Sequence, residues 1–320
     1  MATIRWGIVG CGAVCEVKSG PALYKARDSA LTAVMRRDGA KAADFARRHG
    51  ASHWFDDADA LIGHPDVDAV YVATPPSSHL TYVRKAAAAG KPVLVEKPMA
   101  MSGAECDAMI EACSRAGTGL YVAYYRRALP RFEAFRALAA DGRLGRIRMV
   151  AVRQFRRADE PPDVAWKTDP AINGGGLFTD TQVHTLDWLD HAFGPALSAC
   201  GAGVNQAGLY AADDTVGATV VYPGGVVASF ACNYVADRHE ETVTLIGDRG
   251  RASMRFFAPS PITVESDGAV ERIDVDDPPH VHQPLVQQIV DHLNGGPAPA
   301  SAAENGRRVN RLLDAMFSGG

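Results

Sequence analysis

Two stretches of the chain carry side chains that could move a proton. Val93-Leu94-Val95-Glu96-Lys97-Pro98 reads as a short apolar strand ending on Glu-Lys-Pro. In an open α/β sheet the carboxyl ends of the strands form the edge where ligands bind, so a lysine there could act as acid or base. In Gly174-Gly175-Gly176-Leu177-Phe178-Thr179-Asp180-Thr181-Gln182-Val183-His184, a triple glycine leads into a helical stretch. Asp180 and His184, four residues apart, share one face of it. An imidazole titrating near neutrality could relay a proton or hold a hydroxyl, and the carboxylate one turn away could orient it. Each residue also has an ordinary reading: Lys97 as a surface lysine, Asp180 as a helix N-terminal carboxylate, His184 as a satisfied interior imidazole. Asp180, His184 and Asp187 have spacing compatible with a metal, but that leaves Lys97 unexplained, and no metal is expected.

The elements that must position these groups change character along the chain. Over the first 123 residues, short apolar runs at Arg5–Val9, Leu31–Met35, Val67–Ala73, Pro92–Val95 and Gly119–Ala123 alternate with helical stretches. Among the latter are Lys41–His49, closed by Gly50, and Leu80–Ala89, closed by Gly90. The pattern predicts a doubly wound parallel sheet. From about Arg146, alternating stretches at Arg146–Arg157, Thr215–Tyr222, Val226–Tyr234, Glu241–Ile246 and Arg251–Phe256 predict a mainly antiparallel sheet, with turns at Pro223-Gly224-Gly225 and Gly247-Asp248-Arg249-Gly250. The expected division is therefore 1–123, a dinucleotide-binding α/β domain, and 124–320, an α+β domain. Ser301-Ala302-Ala303-Glu304 has the spacing of a capping box for a final helix through Met316.

Gly10-Cys11-Gly12-Ala13-Val14-Cys15 follows the first strand, where a dinucleotide fold needs a glycine-rich turn. Gly10 permits the turn, Gly12 admits a pyrophosphate to the backbone, and position 15 must be small. The free amides at the start of the following helix favour the anion. At the end of the second strand, Met35-Arg36-Arg37-Asp38 offers two guanidiniums to a 2′-phosphate, which favours NADP(H) while leaving NAD(H) possible. The alternative is that both arginines are solvated and that Asp38 holds the ribose or caps the next helix.

Composition bounds the rest. At 320 residues with 47% hydrophobic and 22% charged residues, the chain has two domains' worth of ordinary globular sequence. A net charge of −4 argues against a nucleic-acid partner. No apolar run approaches the length of a membrane span, and the strand starting at Ile4 leaves no room for a signal peptide, so a cytoplasmic location is expected. The six cysteines, at 11, 15, 106, 113, 200 and 232, show no metal spacing, and disulfides are not expected.

Taken in order, Gly10-Cys11-Gly12, Val72-Ala73-Thr74-Pro75-Pro76-Ser77-Ser78-His79, Glu96-Lys97-Pro98, Tyr125-Arg126-Arg127, and Trp166 ahead of the triple glycine with Asp180 and His184 resemble the Gfo/Idh/MocA oxidoreductases over nearly the whole chain. The resemblance implies an N-terminal Rossmann domain and a C-terminal α+β domain with a large open sheet. Small-molecule substrate binds between the two, and the sheet face serves dimer or tetramer contacts. It implies a cis Lys97–Pro98 bond and Lys97 as the principal acid/base, its pKa lowered by partial burial and a nearby oxidised nicotinamide. His184 would relay the proton or hold a neighbouring hydroxyl, and Asp180 would orient substrate or His184. Gly10, Cys11, Gly12, Ala13, Val14, Arg36, Arg37, Thr74, Pro75, His79, Glu96 and Lys97 would surround the cofactor; Tyr125, Arg126, Trp166, Asp180 and His184 would meet substrate. Cys15, Tyr125 and Gln182 depart from the family's usual residues, and the last two could reshape the substrate pocket. The activity implied is hydride transfer between a nicotinamide and a secondary alcohol or carbonyl of a sugar, polyol or cyclic diol. Two others stay open: a redox-assisted glycoside hydrolase or lyase that retains its nicotinamide, and a non-catalytic dinucleotide sensor.

Overall fold

A computed structural model describes residues 2–158 and 165–317. The chain forms two compact units, Met1–Ala128 with Pro278–Arg307, and Leu129–Asp277 with Arg308–Gly320. The division expected at 123/124 counted residues 278–307 with the second unit; the structure packs them with the first.

The first unit is built on β1 (Ile4–Val9), β2 (Ser29–Met35), β3 (His53–Phe55), β4 (Ala69–Val72), β5 (Val93–Val95) and β6 (Leu120–Val122), in the order β3-β2-β1-β4-β5-β6. Every pairing is parallel. Its central strands are uninterrupted apolar runs, AVYV in β4 and VLV in β5, buried along their whole length. That is what a parallel sheet covered on both faces requires. The connecting helices are α1 (Ala13–Val17), α2 (Gly20–Lys25), α3 (Gly39–His49), α4 (Ala58–Ile62), α5 (His79–Ala88) and α6 (Gly103–Ala116). Strand order reverses between β1 and β4, the switch point beside which such sheets bind ligands. Gly50, with φ +72°, ends α3 as expected.

The second unit holds α7 (Pro130–Ala137), β7 (Ile147–Phe155), α8 (Pro170–Asn173), α9 (Gly176–Phe193), β8 (Ser198–Val204), β9 (Thr215–Tyr222), β10 (Val226–Asn233), β11 (Glu240–Gly247), β12 (Gly250–Met254), β13 (Ile262–Ser266) and β14 (Ala269–Ile273). The strands form one sheet in the order β14-β13-β12-β11-β7-β10-β9-β8, antiparallel except for β7 beside β10. Burial alternates along β9 and β10, so the sheet is covered on one face. On that face α9 is fastened by Gln154 of β7, whose Oε1 accepts from Gln182 Nε2 at 2.7 Å, Tyr234 OH at 3.0 Å and Thr181 Oγ1 at 2.9 Å. Gln182, expected to reshape a substrate pocket, is fully buried in this clamp. A buried amide needs partners, and the end of β7 supplies one.

Glycine is required where α9 begins. A Cβ on Gly175 would lie 2.2 Å from Thr179 Oγ1, and one on Gly176, at φ +77°, would lie 2.4 Å from Ala212 Cβ. Gly176→Ala is expected to cost about 2–3 kcal/mol and lower Tm by roughly 5–10 °C. A thermal melt superimposing on the parent's would contradict this.

The segment after the second sheet carries α10 (Gln283–Leu293) and α11 (Ala303–Phe317), and the division between units falls inside α11. The expected capping box does not form. Ser301 Oγ donates to Val122 O at 2.8 Å, and Asn305 Oδ1 accepts from Ala302 N at 2.9 Å instead. The buried hydroxyl shares the strand-end carbonyl of Val122 with the amide of Tyr124, and this bond outcompetes the local cap. Among the described residues no helix is long and apolar enough to cross a membrane. All six cysteines are free thiols.

Candidate active site

At the carboxyl edge of the parallel sheet the glycine-rich turn is tied to the end of β2: the amides of Gly10 and Cys11 both donate to Met35 O, at 3.0 and 3.1 Å. Gly10 has φ +90°, and a Cβ there would lie 2.7 Å from Thr74 Cγ2, so the turns after β1 and β4 meet only because Gly10 lacks a side chain. Gly12 is different. A Cβ built on it finds nothing nearer than Gly10 O at 3.8 Å, leaving open backbone ahead of Ala13 and Val14 at the start of α1. That cradle fits a pyrophosphate against first-turn amides, which have no intrahelical acceptor. Cys15 is fully buried, and the close approach expected at its position involves Gly20, whose added Cβ would lie 2.1 Å from Cys15 O. Burial pushes the Cys11 thiol up to about 11, so neither its position nor its ionisation suits a nucleophile.

Arg36 is half-buried and Arg37 exposed, and neither guanidinium has an ion pair among the described residues. Asp38 is committed elsewhere: it caps α3 by accepting from Lys41 N at 3.2 Å and pairs with Lys41 Nζ at 3.2 Å. Its carboxyl is held below the ordinary range by those hydrogen bonds. The cap reading of Asp38 is therefore the observed one.

His79 is fully buried, its ring nitrogens 3.1 Å from Met99 O and 2.7 Å from Thr74 O. Expected at the cofactor's edge, it shapes that edge from behind by joining the Thr74-Pro75 turn to the segment after Pro98. Burial lowers its pKa and favours the neutral ring. Ser78 Oγ donates to Thr74 Oγ1 at 2.8 Å, fixing the same turn, with Thr74 and Pro75 half-buried.

Glu96 is 8% exposed. One carboxylate oxygen accepts from Tyr71 OH, and the other from the amide of Lys97 at 3.2 Å. Lys97 is half-buried, and the Lys97–Pro98 peptide is cis, as expected. Tyr125 and Arg126 are both buried; Arg126 Nη1 donates to Tyr125 OH at 3.0 Å, and its guanidinium lies 5.0 Å from the ring centroid. The Tyr125 ring also meets a residue that sequence reasoning passed over. His282 stacks on it at 4.4 Å with 28° between planes, and its Nδ1 lies 4.0 Å from Glu96 Oε1. Nothing local to residue 282 signals this, because a return of the chain from far along the sequence creates it.

In the second unit, Asp180 and His184 are 7% and 6% exposed on α9. Lys167 Nζ donates to Asp180 Oδ2 at 3.0 Å and lies 5.7 Å from the half-buried Trp166 ring. The His184 ring meets Phe257 edge-on at 6.5 Å. Asn173, also missed from sequence, ties the Trp166 turn to the start of α9 by donating to Lys167 O at 2.9 Å and Gly176 O at 2.7 Å. Among the described residues one group could converge on a cation, His53, His64 and Asp66, with ligand atoms within 4.8 Å. Its carboxylate is already paired with Arg5 Nη1 at 2.6 Å.

Residues 4–124 match the model of the oxidoreductase family with an NAD-binding Rossmann fold, and residues 132–253 match the GFO/IDH/MocA C-terminal domain. The chain belongs to the Gfo/Idh/MocA oxidoreductases. Within that family it is 37% identical over 320 residues to "Oxidoreductase P35" of Formosa agariphila, an alignment covering 99% of this chain and 98% of the relative. It is 30% identical over 253 residues to trans-1,2-dihydrobenzene-1,2-diol dehydrogenase of Sus scrofa, covering 78% and 74%. In structure it is similar to KijD10, a 3-ketoreductase from Actinomadura kijaniata solved with NADP and TDP-benzene, with TM-score 0.86, 22% identity and coverage of 99% and 97%. As a Gfo/Idh/MocA member the chain is an oxidoreductase that uses a nicotinamide dinucleotide.

Proposed function

We propose that this chain is an NADP(H)-dependent oxidoreductase moving hydride between nicotinamide and a secondary alcohol or carbonyl of a sugar, polyol or cyclic diol, with Lys97 as acid/base. The observation that carries the reading is the sheet edge on which the open Gly12 cradle, the fixed Glu96 carboxylate and Lys97 all lie. Names among the relatives, a dihydrodiol dehydrogenase and a 3-ketoreductase, support the substrate class.

When bound, the nicotinamide supplies hydride acceptance and donation at carbon. Gly10 and Gly12 shape the cradle, and the first amides of α1 would face the pyrophosphate. Arg36 and Arg37 would pair with a 2′-phosphate, since Asp38 is withdrawn to cap α3. In oxidation, neutral Lys97 Nζ takes the hydroxyl proton as hydride leaves the carbinol carbon. In reduction its ammonium returns that proton to the carbonyl oxygen. On the second unit, Asp180 and His184 are assigned to substrate contact, with Lys167 holding the Asp180 carboxylate.

A panel of sugars, polyols, dihydrodiols and dicarbonyls, followed by nicotinamide absorbance with NADP+ and NADPH, tests the reading. Net absorbance change with at least one member is expected. A cofactor that co-elutes through gel filtration, with sugar turnover and no net absorbance change, would establish redox-assisted hydrolysis or elimination in its place. Dinucleotide binding with no turnover across the panel would leave a sensor.

The same proposal covers assembly. On the open face of the second sheet, Val221, Val227, Met149 and Ile246 form a row across four strands. Met149 is 36% exposed. A second copy meeting this face would make a homodimer or, used twice, a homotetramer. Met149→Glu is expected to shift the protein to monomer in sedimentation; an unchanged oligomer would place the contact elsewhere.

A further inference from the structure

α10 and the residues ahead of it are fastened to the stretch that follows the glycine-rich turn. His280 Nδ1 lies 2.8 Å from Val17 O, and Gln283 Nε2 donates to Lys25 O at 3.3 Å. Gln287 bonds Arg27 both ways, accepting from its amide at 2.7 Å and donating to its carbonyl at 3.4 Å. These ties on either side fix the backbone of His282, whose carbonyl accepts from Val286 N at 3.0 Å at the start of the helix. His282 is 1% exposed, and its Nδ1 is buried without a hydrogen-bond partner. A buried polar nitrogen left unsatisfied is costly, and its nearest carboxylate oxygen, Glu96 Oε1, is 4.0 Å away. Closing that gap by about 1 Å makes a hydrogen bond of ordinary length.

We propose that His282 is a positioning residue for the Glu96-Lys97 turn, stacked on Tyr125 and donating from Nδ1 to the Glu96 carboxylate in the cofactor-bound protein. The proposal rests on the functional reading above. It assigns work to each partner of Glu96: Tyr71 and His282 on Oε1, and the amide of Lys97 on Oε2. A carboxylate held from three sides keeps the Lys97 backbone in register and cannot swing toward the Lys97 ammonium. The groups facing the imidazole are Glu96, the Tyr125 ring, and the cations Lys18, Arg126 and Lys97. Burial first, and then those three cations, bring its pKa down to about 3. His282 therefore stays neutral throughout the working range and acts by a hydrogen bond, adding no charge beside Lys97.

His282→Phe keeps the stack on Tyr125 and removes the donor. Displacing groups that support a reacting residue can cost about 10- to 100-fold in turnover, and that is the loss expected in kcat, with the NADPH dissociation constant within about threefold. Freed on one side, Glu96 would turn toward the Lys97 ammonium and favour its charged form. The Lys97 titration, read by NMR of 13C-methylated lysines in the NADP+ complex and assigned with Lys97→Met, should then move up by about half a unit. His282→Asn, whose amide nitrogen stands near the place of Nδ1, should recover most of the rate; His282→Gln, reaching toward the place of Nε2, should not. The pair keeps the test intact if the Phe variant fails to fold. Parental kcat and an unmoved Lys97 titration in His282→Phe would overturn the proposal. So would Asn and Gln variants that lose rate equally and in step with Tm. A parent protein that binds no NADPH would sink the functional reading itself, a different result from either.

Discussion

Lys97→Met is expected to lower kcat by about 10³-fold, within the range for loss of a general acid/base, while NADPH affinity stays within about threefold. Methionine matches the length of the lysine stem, so the fold of β5 and its turn is spared. What disappears is the group that, in the proposed mechanism, accepts and returns the substrate proton. Glu96 cannot substitute, because both carboxylate oxygens are engaged, one by Tyr71 and the other by the Lys97 amide. Nor can His79, whose nitrogens face two backbone carbonyls. Lys97→Arg should be nearly as damaging for alcohol oxidation, since a guanidinium does not give up its proton to become a base. Stopped-flow turnover beside fluorescence titration of NADPH separates the two quantities. A variant that kept most of its turnover would move the acid/base role elsewhere.

The second large effect concerns the cofactor's 2′-position. Replacing Arg36 and Arg37 together by Ala should erase a preference for NADPH over NADH of about 100-fold, equivalent to about 2.7 kcal/mol. Charge-assisted hydrogen bonds of about 1.5–3 kcal/mol each make that magnitude reasonable for two guanidiniums on one phosphate. NADH affinity should hardly change, because no carboxylate at the end of β2 is available to its ribose: Asp38 is bound to Lys41. Dissociation constants for both nucleotides on parent and double variant check this. Tighter binding of NADH by the parent would contradict it.

How much of this was legible depends on how local the determining physics is. Five strands of the first sheet read directly, since burial on both faces demands unbroken apolar runs such as AVYV and VLV, whereas the edge strand β3, HWF, is only partly buried and gave no such run. β7, β9, β10 and β11 read from alternation, although the edges of the second sheet did not. β8 is SACGAGV, small residues half or more exposed, and β14 is AVERI, largely exposed; neither has a period to detect. The motifs at Gly10, Glu96-Lys97-Pro98 and Asp180/His184 were legible because each is a contiguous or helical-spacing pattern. The contacts that long-range return creates were not. His282 against Glu96, Gln182 against Gln154, and Ser301 on the Val122 carbonyl all pair residues whose own neighbourhoods carry no signal. Gln182 and Ser301 each found a buried partner across the fold, and pocket chemistry or local capping lost to it.

The most direct test of the account is the pH dependence of single-turnover hydride transfer from NADPH to whichever carbonyl of the panel reacts fastest, in parent and Lys97→Met. In the proposed mechanism reduction needs the lysine ammonium as proton donor, so the parent's rate should be flat at low pH and fall as pH rises through the titration of Lys97. The variant should be slow and flat over the same range. The same falling limb in both proteins would show that another group supplies the proton, and would contradict the central assignment of Lys97.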